Sequence, residues 1–320
     1  NITVYAKWRA NTYEIILDNG SATTNGTDKI YEVYDTGVYL DSNKTKVMTT
    51  SQNAITVPQR EYKVNYNANG GEVGTASQTS TYTFKGYYDG TTQMIGADGF
   101  IKSAFTNNKY SANKTLTADW TSQAVTTPVP TRTGYTFKGW YDAATGGNKI
   151  ADGNASYTPT ANKELFAQWG PKDDIAYVVK HWQQKVTGTV GTHNSTNYDL
   201  KDTENLEGTA DAQVTPALKT YTGFTAEQTA TEVTIKPDGT LVVNYYYKRN
   251  SYALTLSKGT GISAVTGAGT YLYGQTVAID ATVGTGYTWS KWTKTTGTTP
   301  TTYVAGTKSQ NIVMGAGDVT

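Results

Sequence analysis

The chain has no cysteine, and only 8 prolines, 6 phenylalanines and 3 methionines among its 320 residues. Without cysteine, a disulfide framework and thiolate metal sites are excluded. Charge of one sign is also lacking, since 27 Lys and Arg nearly balance 26 Asp and Glu and the formal net charge is +1. Because this balance leaves no excess positive potential, we expect no nucleic acid and no acidic membrane surface as partner.

Long hydrophobic runs are missing as well. No stretch approaches the run of about 20 apolar residues that crosses a bilayer, and the amino terminus has no basic region followed by an apolar one. We therefore expect no membrane insertion within this chain, and any export signal or anchor to lie outside it. The chain is instead rich in tyrosine (25), tryptophan (7) and glycine (32), a balance typical of strands joined by tight turns.

One octapeptide pattern occurs three times, as NITVYAKW at 1–8, NKTLTADW at 113–120 and NKELFAQW at 162–169. Each copy places an aliphatic residue, an alanine and a tryptophan two positions apart. Period two indicates a strand with one buried face. The pattern therefore predicts nine core residues: Val4, Ala6, Trp8, Leu116, Ala118, Trp120, Leu165, Ala167 and Trp169. The residues between them, Tyr5 and Phe166 included, are predicted to face the other way.

A second pattern is YTFKGYYDG at 82–90 and YTFKGWYDA at 135–143. Phe137 and Trp140 are three positions apart, so they cannot share one face of a regular strand. A bulge near Gly139 would turn both rings to the core. Residues 84–87 can form the same bulge. A third, weaker copy is YTWSKW at 287–292, where Lys291 replaces the glycine and makes the bulge less secure.

Opening strands precede these elements. YEIILDNG at 13–20 and YKVNYNANGG at 62–71 alternate and then enter an Asn-Gly turn, as hairpins require. Residues 121–134 contain no such strand. We therefore expect the unit that ends at Trp169 to complete its sheet with a strand of its predecessor.

Together, YKVNYNANGG, TYTFKGYYDG and NKTLTADW resemble the Listeria-Bacteroides repeat, also called the internalin B-repeat. The resemblance covers residues 1–169 and departs at 21–61, so 9–120 is either one enlarged module or two. It implies a mainly β, elongated tandem array of small β-grasp-like or β-sandwich-like modules, with little helix, on a bacterial cell surface or cell wall.

The pattern changes after 170–171. AYVVKHWQQKV at 176–186, YTGF at 221–224 and LVVNYYYKR at 241–249 resemble mucin-binding-protein-like repeats, and Tyr246 is predicted to face away from the core. Residues 250–320 are similar to a divergent B-repeat whose final strand would follow Asp318. The predicted segments are 1–8 (last strand of a preceding repeat), 9–61 (divergent B-repeat-like), 62–120 (B-repeat), 121–169 (shortened B-repeat), 170–249 (mucin-binding-protein-like) and 250–320 (truncated divergent B-repeat).

Chemistry-bearing motifs are scarce. His181 and His193 are the only histidines, and neither has a partner motif of a zinc or nucleophile site. The acidic residues Asp202, Glu204 and Glu207 do not follow calcium-loop spacing, so we interpret them as solvated loop charges. We expect no enzyme activity, no cofactor and no metal.

Two functions are consistent with these observations. The resemblance implies a non-catalytic stalk or spacer of an adhesin, monomeric within a longer polypeptide, that also supplies weak multivalent adhesion. The alternative is a dedicated binding module for a glycan or protein on a host or neighbouring cell. In that alternative, the exposed aromatic residues Tyr5, Phe166 and Tyr246 are the candidate contacts.

Overall fold

The computed structural model describes residues 2–107 and 109–320, and the fold is nearly all β, as predicted. The first part contains β1 Thr12–Asp18, β2 Lys29–Val33, β3 Gly37–Tyr39, β4 Val47–Met48, β5 Arg60–Asn67, β6 Ser77–Asp89, β7 Thr92–Gly96, α1 Ser103–Asn107, β8 Lys114–Thr121, β9 Val125–Thr126, β10 Tyr135–Tyr141, β11 Lys149–Ala151, β12 Ser156–Tyr157 and β13 Lys163–Pro171. The second part contains β14 Ile175–Gln184, β15 Tyr198–Gly208, β16 Gln213–Val214, β17 Phe224–Ala226, β18 Val233–Thr234, β19 Val242–Arg249, β20 Ser251–Leu254, β21 Ile262–Thr266, β22 Gly269–Leu272, β23 Thr276–Val283 and β24 Gln310–Val313.

The chain divides into two compact units. The first consists of Asn1–Arg132 and Thr136–Gly170, and the second of Thr133–Tyr135 and Pro171–Thr320. In the first unit, one large sheet has the order β11-β10-β13-β5-β6-β8-β1-β2-β3-β4, with β7 on β6. Strand β6 is shared between two halves of this sheet, because its beginning pairs with β5 and its end pairs with β7 and β8.

The strands that contain the second and third octapeptides, β8 and β13, are called closing strands. Each lies beside one opening strand, β1 or β5, and parallel to it. Strand β1 pairs with β8, with Leu17 opposite Leu116, and β5 pairs with β13, with Tyr66 opposite Leu165. We expected the unit that ends at Trp169 to complete its sheet with a strand of its predecessor, and the pairing of β13 with β5 confirms this. Each closing strand thus pairs with an opening strand from the preceding predicted segment.

A single side chain starts each parallel ladder. The Asn113 side-chain oxygen accepts the Glu14 backbone N–H at 2.9 Å, and the Asn162 oxygen accepts the Lys63 N–H at 2.8 Å. Both asparagines immediately precede the closing strand, so the bond satisfies a backbone donor where strand pairing begins. The two halves of the sheet therefore repeat the same local geometry.

The closing strands bury the predicted face in the second and third copies of the pattern. Leu116, Leu165 and Ala167 are fully buried. Ala118, Trp120 and Trp169 pack, partly buried, against the same cores. The first copy behaves differently: residues 2–11 form no strand, and Trp8 is 94% exposed. Val4, Ala6 and Trp8 are therefore exposed, because a strand buries a face only against a neighbouring sheet.

The predicted bulge in the aromatic strands is confirmed. Gly86 and Gly139 have φ angles of 137° and 134°, and the pairing of β6 with β8 shifts register beside Gly86. A Cβ at Gly86 would lie 2.2 Å from the Ile95 carbonyl oxygen, so this backbone path requires glycine. Tyr87 and Trp140, one residue after these glycines, are fully buried.

In the second unit, a four-stranded sheet has the order β15-β14-β19-β17, with β14 parallel to β19. Strand β19 alternates, with Val243, Tyr245 and Tyr247 buried, so Tyr246 faces away from the core as predicted. A turn forms around Gly239, whose φ is 74°. It leads from β18 into β19, but these two strands pair with other partners and make no hairpin.

The last part of the second unit repeats the parallel arrangement a third time. Leu254 bridges Val319 in parallel, and the Asp318 carboxylate accepts the Ala253 N–H at 2.7 Å. The aromatic pair also recurs, because Trp289 and Trp292 meet edge to face at 5.3 Å, as Phe84 and Tyr87 do at 5.2 Å. Residues 287–292 nevertheless form no strand. Lys291 cannot easily adopt the positive φ that glycine adopts in the other copies.

Trp140→Ala should lower the free energy of unfolding of the first unit by about 3–5 kcal/mol, the usual cost of truncating a buried tryptophan. The indole is fully buried, contacts Tyr66 at a ring distance of 5.0 Å and donates to the Pro128 carbonyl. Chemical denaturation followed by circular dichroism measures the change. Trp8→Ala is the matched control and should leave stability unchanged; equal losses in both variants would contradict this description of the core.

Candidate functional site

The outward face of the four-stranded sheet carries a row of apolar side chains across three strands. Leu200 of β15, Trp182 of β14 and Tyr246 of β19 are register neighbours. The Trp182 and Tyr246 rings are nearly parallel, with an angle of 16° and centroids 6.2 Å apart. Trp182 Nε1 donates to the Asn244 side-chain oxygen at 2.9 Å. We call Leu200, Trp182 and Tyr246 the outer row.

A loop covers one end of the outer row. His193, between β14 and β15, stacks on Tyr246 with ring centroids 3.8 Å apart and an angle of 6°. Its Nε2 lies 3.1 Å from the Glu227 carboxylate, which also accepts the Tyr198 hydroxyl at 2.5 Å. Burial, reinforced by that bond, raises the pKa of Tyr198 to about 12. These bonds hold the imidazole in place, so one face of Tyr246 is already covered.

The two other predicted contact residues lie elsewhere. Tyr5 belongs to the segment 2–11 and is 81% exposed. Phe166 lies in β13 between buried Leu165 and Ala167, on the opposite face of the strand, and is half-buried. Both belong to the first unit, whereas Tyr246 belongs to the second. Tyr246 has the aromatic residue Trp182 as a register neighbour in its own sheet.

Sequence reasoning missed the neighbours of Tyr246. Alternation along β14 from buried Tyr177 and Val179 places Trp182 on the outward face, so a signal for Trp182 existed. His193 and Glu227 had no signal, because a loop side chain reaches its partner only through the folded path of the chain. The outer row, together with His193 and Glu227, forms a flat apolar surface with polar atoms at its edge.

His181 lies on the inward face of the same sheet and is fully buried. Nε2 is 3.0 Å from the Glu204 carboxylate, which can only accept, so Nε2 carries the proton. Nδ1 is 2.9 Å from the Tyr247 hydroxyl, whose oxygen also accepts the Lys219 N–H. Both ring nitrogens are therefore engaged within the protein, and the imidazole has no free nitrogen for general base chemistry.

The acidic residues near His181 are paired. Lys219 Nζ lies 3.2 Å from Glu204 and 3.8 Å from Asp202, and Tyr221 donates to Asp202. These carboxylates lie on strand β15 and not in a loop, which corrects the expectation from the sequence. Within residues 2–107 and 109–320, no three His, Cys, Asp or Glu side chains are grouped as metal ligands would be. Nor does any helix in the described part of the chain have the length and apolarity to span a membrane.

Glu204→Gln should flatten the pH dependence of the stability of the second unit on its acidic side. The hydrogen bond from His181, with Lys219 nearby, lowers the pKa of Glu204 below its ordinary value of 4.5. A depressed pKa means that the carboxylate stabilises the folded state above the ordinary pKa, and that this contribution is lost as pH falls through the folded pKa. Thermal unfolding from neutral to acidic pH measures the slope.

Glu207→Gln is the matched control for that experiment, since Glu207 lies on the same strand and is exposed. Its melting temperature should follow the wild-type pH profile. A Glu204→Gln profile that also follows the wild type would show that the bond to His181 contributes nothing to the pH dependence.

Comparison with known proteins bears on the first unit. Residues 102–168 match the Listeria-Bacteroides repeat domain. This span includes β8 and the first six residues of β13, whereas their parallel partners β1 and β5 lie before it. No solved structure matches the chain significantly.

A curated relative is internalin H of Listeria monocytogenes, 32% identical over 165 residues. The alignment covers 46% of this chain and 27% of the relative, so the chain spans only about a quarter of that protein's length. Residues 102–168 are therefore similar to the Listeria-Bacteroides repeat domain, and the chain is similar over part of its length to a Listeria internalin.

Proposed function

We propose that this chain is a non-catalytic repeat region of a bacterial surface protein that serves as a spacer within an adhesin. The observation that carries the proposal is the recurrence of one strand arrangement. Closing strands β8 and β13 pair in parallel with β1 and β5, and each pair begins with the same asparagine bond. Similarity to the Listeria-Bacteroides repeat and to part of internalin H supports a location outside the cell, on the surface or in the cell wall.

The strand pairing also supports an organisation of the modules. Because β1 pairs with β8, we propose that 9–120 is one enlarged module with 21–61 as its insertion. The module that ends at 169 takes its opening strand, β5, from within that stretch. Adjacent modules then share a sheet, which suits a spacer because neighbours fold and unfold together. The segments 170–249 and 250–320 remain proposed modules.

The absence of free catalytic groups at His181 supports the non-catalytic part of the proposal. Its nitrogens contact Glu204 and Tyr247, and Glu204 is engaged in turn by Lys219. A group that acts on a substrate needs an open position within hydrogen-bond reach. The network therefore stabilises the core of the second unit and provides no site for a reaction.

A second candidate function, binding of a cell-surface glycan or protein, is favoured by one observation. The outer row lies on a partly exposed sheet face. Leu200 of the row and Val242 on the same face are each 46% exposed. Aromatic rings with adjacent amide groups, here Asn244 and Gln228, suit the apolar faces and hydroxyls of sugars. Weak contacts of this type gain strength when several copies act together.

Small-angle scattering of the chain tests the spacer function. A compact globule of this length has a radius of gyration of about 20 Å. A spacer should give a clearly larger value and a distance distribution with a long tail. A radius close to that of the globule would contradict the proposal.

Tyr246→Ala tests the binding function, with Tyr5→Ala and Phe166→Ala as matched aromatic controls from the first unit. If the outer row binds, Tyr246→Ala should reduce binding to an array of mammalian N- and O-linked oligosaccharides at least several-fold. The controls should bind as the wild type does, and circular dichroism should show that all three variants fold. Binding by wild type and Tyr246→Ala to the same extent would exclude the outer row.

A further inference from the structure

Strand β2 carries an acidic side chain at a core position. Ile30 and Glu32 are two positions apart and share the inward face, where they are 0% and 4% exposed. In the sheet, Glu32 lies opposite Val38 of β3, which lies opposite Met48 of β4, and both of these apolar side chains are buried. A carboxylate therefore stands in a row of core side chains.

The Glu32 carboxylate has one hydrogen-bond donor in the part of the chain that the structure describes. Both of its oxygens accept the backbone N–H of Tyr110, each at 3.2 Å. This bond fixes the segment after α1 to β2, but it needs only a neutral acceptor. In the same unit, the side-chain oxygens of Asn113 and Asn162 accept backbone N–H groups without any charge. The negative charge of Glu32 is therefore more than this bond requires.

Burial makes the charge of Glu32 costly. A buried ion needs a partner of opposite charge or several hydrogen bonds. Burial raises the pKa of the Glu32 carboxyl above its ordinary value of 4.5, and the Tyr110 N–H and Lys109 only partly offset this effect. A carboxylate offers about four acceptor positions, so a single N–H leaves room for further donors. A cation that reached Glu32 would therefore stabilise its ionised form.

A cavity lies beside Glu32. Its volume is about 300 Å³, and its walls include the apolar side chains of Val38, Met48, Ile101 and Phe105 together with Glu32. Each of these four apolar residues is at most 4% exposed, so they belong to the core of the first unit. The volume is that of a site for a small molecule. We call it the Glu32 cavity.

The charges around the Glu32 cavity do not cancel. Lys109 and Asp35 also line it, and they form an ion pair with each other. Their side chains are 44% and 69% exposed, so this pair lies on the solvent side of the cavity. Among the described lining residues, two carboxylates and one ammonium group leave a net charge of −1. A ligand with a single positive charge complements this cavity.

The chemistry of the walls narrows the class of cation. Calcium takes about six to eight oxygen ligands, whereas this cavity combines one buried carboxylate with apolar walls. A guanidinium group binds a carboxylate through both oxygens at once, and the Tyr110 N–H already bridges the two oxygens of Glu32. A primary ammonium group is a compact charge with three donors on an apolar stem. It can contact one oxygen while its methylene groups contact the walls.

We propose that the Glu32 cavity binds a primary alkylammonium ion, either a free amine or the side chain of a lysine in a partner molecule. The ammonium group donates to a Glu32 oxygen and neutralises the buried charge, and the alkyl chain packs against the apolar walls. The residues of this site belong to the first unit. The proposal therefore does not depend on the binding function considered for Tyr246.

Titration of the whole chain with n-pentylammonium chloride tests the proposal, with amide proton–nitrogen NMR as the readout. The Tyr110 amide, which donates to Glu32, should shift and saturate. The uncharged n-pentanol and the anion n-pentanoate have chains of similar length, and each should bind at least several-fold more weakly. Equal binding of pentanol and pentylammonium, or no saturable shift with pentylammonium, would overturn the proposal.

Glu32→Gln removes the charge and keeps an oxygen that can accept the Tyr110 N–H, so the variant should fold. It should bind pentylammonium at least several-fold more weakly than the wild type. Glu14→Gln is the matched control, since Glu14 lies on the adjacent strand β1, is 45% exposed and pairs with Lys29. The control should bind as the wild type does. Undiminished binding by Glu32→Gln contradicts the site.

Lys109→Met keeps the test decisive if Glu32→Gln fails to fold. The substitution removes the ammonium group that lines the solvent side of the cavity, and so makes the net charge of the lining more negative. The affinity for pentylammonium should therefore increase. An unchanged or lower affinity would show that charge in the cavity does not govern binding, and the proposal would fail.

A second probe distinguishes the two sources of the ligand. A capped peptide with a single lysine between glycines presents the same ammonium group on a peptide backbone. Saturable shifts of the Tyr110 amide with this peptide assign the cavity to a lysine side chain, and binding of pentylammonium alone assigns it to a free amine. Binding of neither probe excludes the Glu32 cavity as an ammonium site.

Discussion

Parallel pairing between the opening and closing strands of a repeat is the constraint on which the first unit depends. Parallel neighbours need a long connection. The residues between β1 and β8, and those between β5 and β13, form that connection. A side-chain oxygen from Asn113 or Asn162 starts each ladder. The aromatic strands then lie against the closing strands and complete the core.

Each aromatic strand, β6 and β10, contains a glycine with a positive φ angle at its bulge. Gly86 and Gly139 adopt positive φ and turn the residues on both sides of them, three apart, toward one core. Where Lys291 stands in that position, the tryptophans still meet, but no strand forms. The bulge thus decides whether an aromatic segment can pair with a closing strand or only lies beside it.

In the second unit, the two faces of one sheet have different roles. Inward, His181 is surrounded by groups that satisfy both of its nitrogens, as a buried polar network requires. Outward, Trp182 and Tyr246 form an apolar row partly covered by His193. The inward face therefore contributes to stability, and the outward face presents partly exposed apolar side chains.

By itself, the sequence determined the β class, the buried face of the closing strands at Leu116 and Leu165, the glycine bulge and the alternation around Tyr246. These features depend on short-range periodicity and backbone sterics, because a local stretch decides which residues share a face and where only glycine fits. Only the tertiary structure decided that Trp8 is exposed, that β5 serves a later closing strand, and that His193 covers Tyr246. Each of these depends on which distant segment lies alongside, and identical closing patterns are buried or exposed according to whether a sheet is there to receive them.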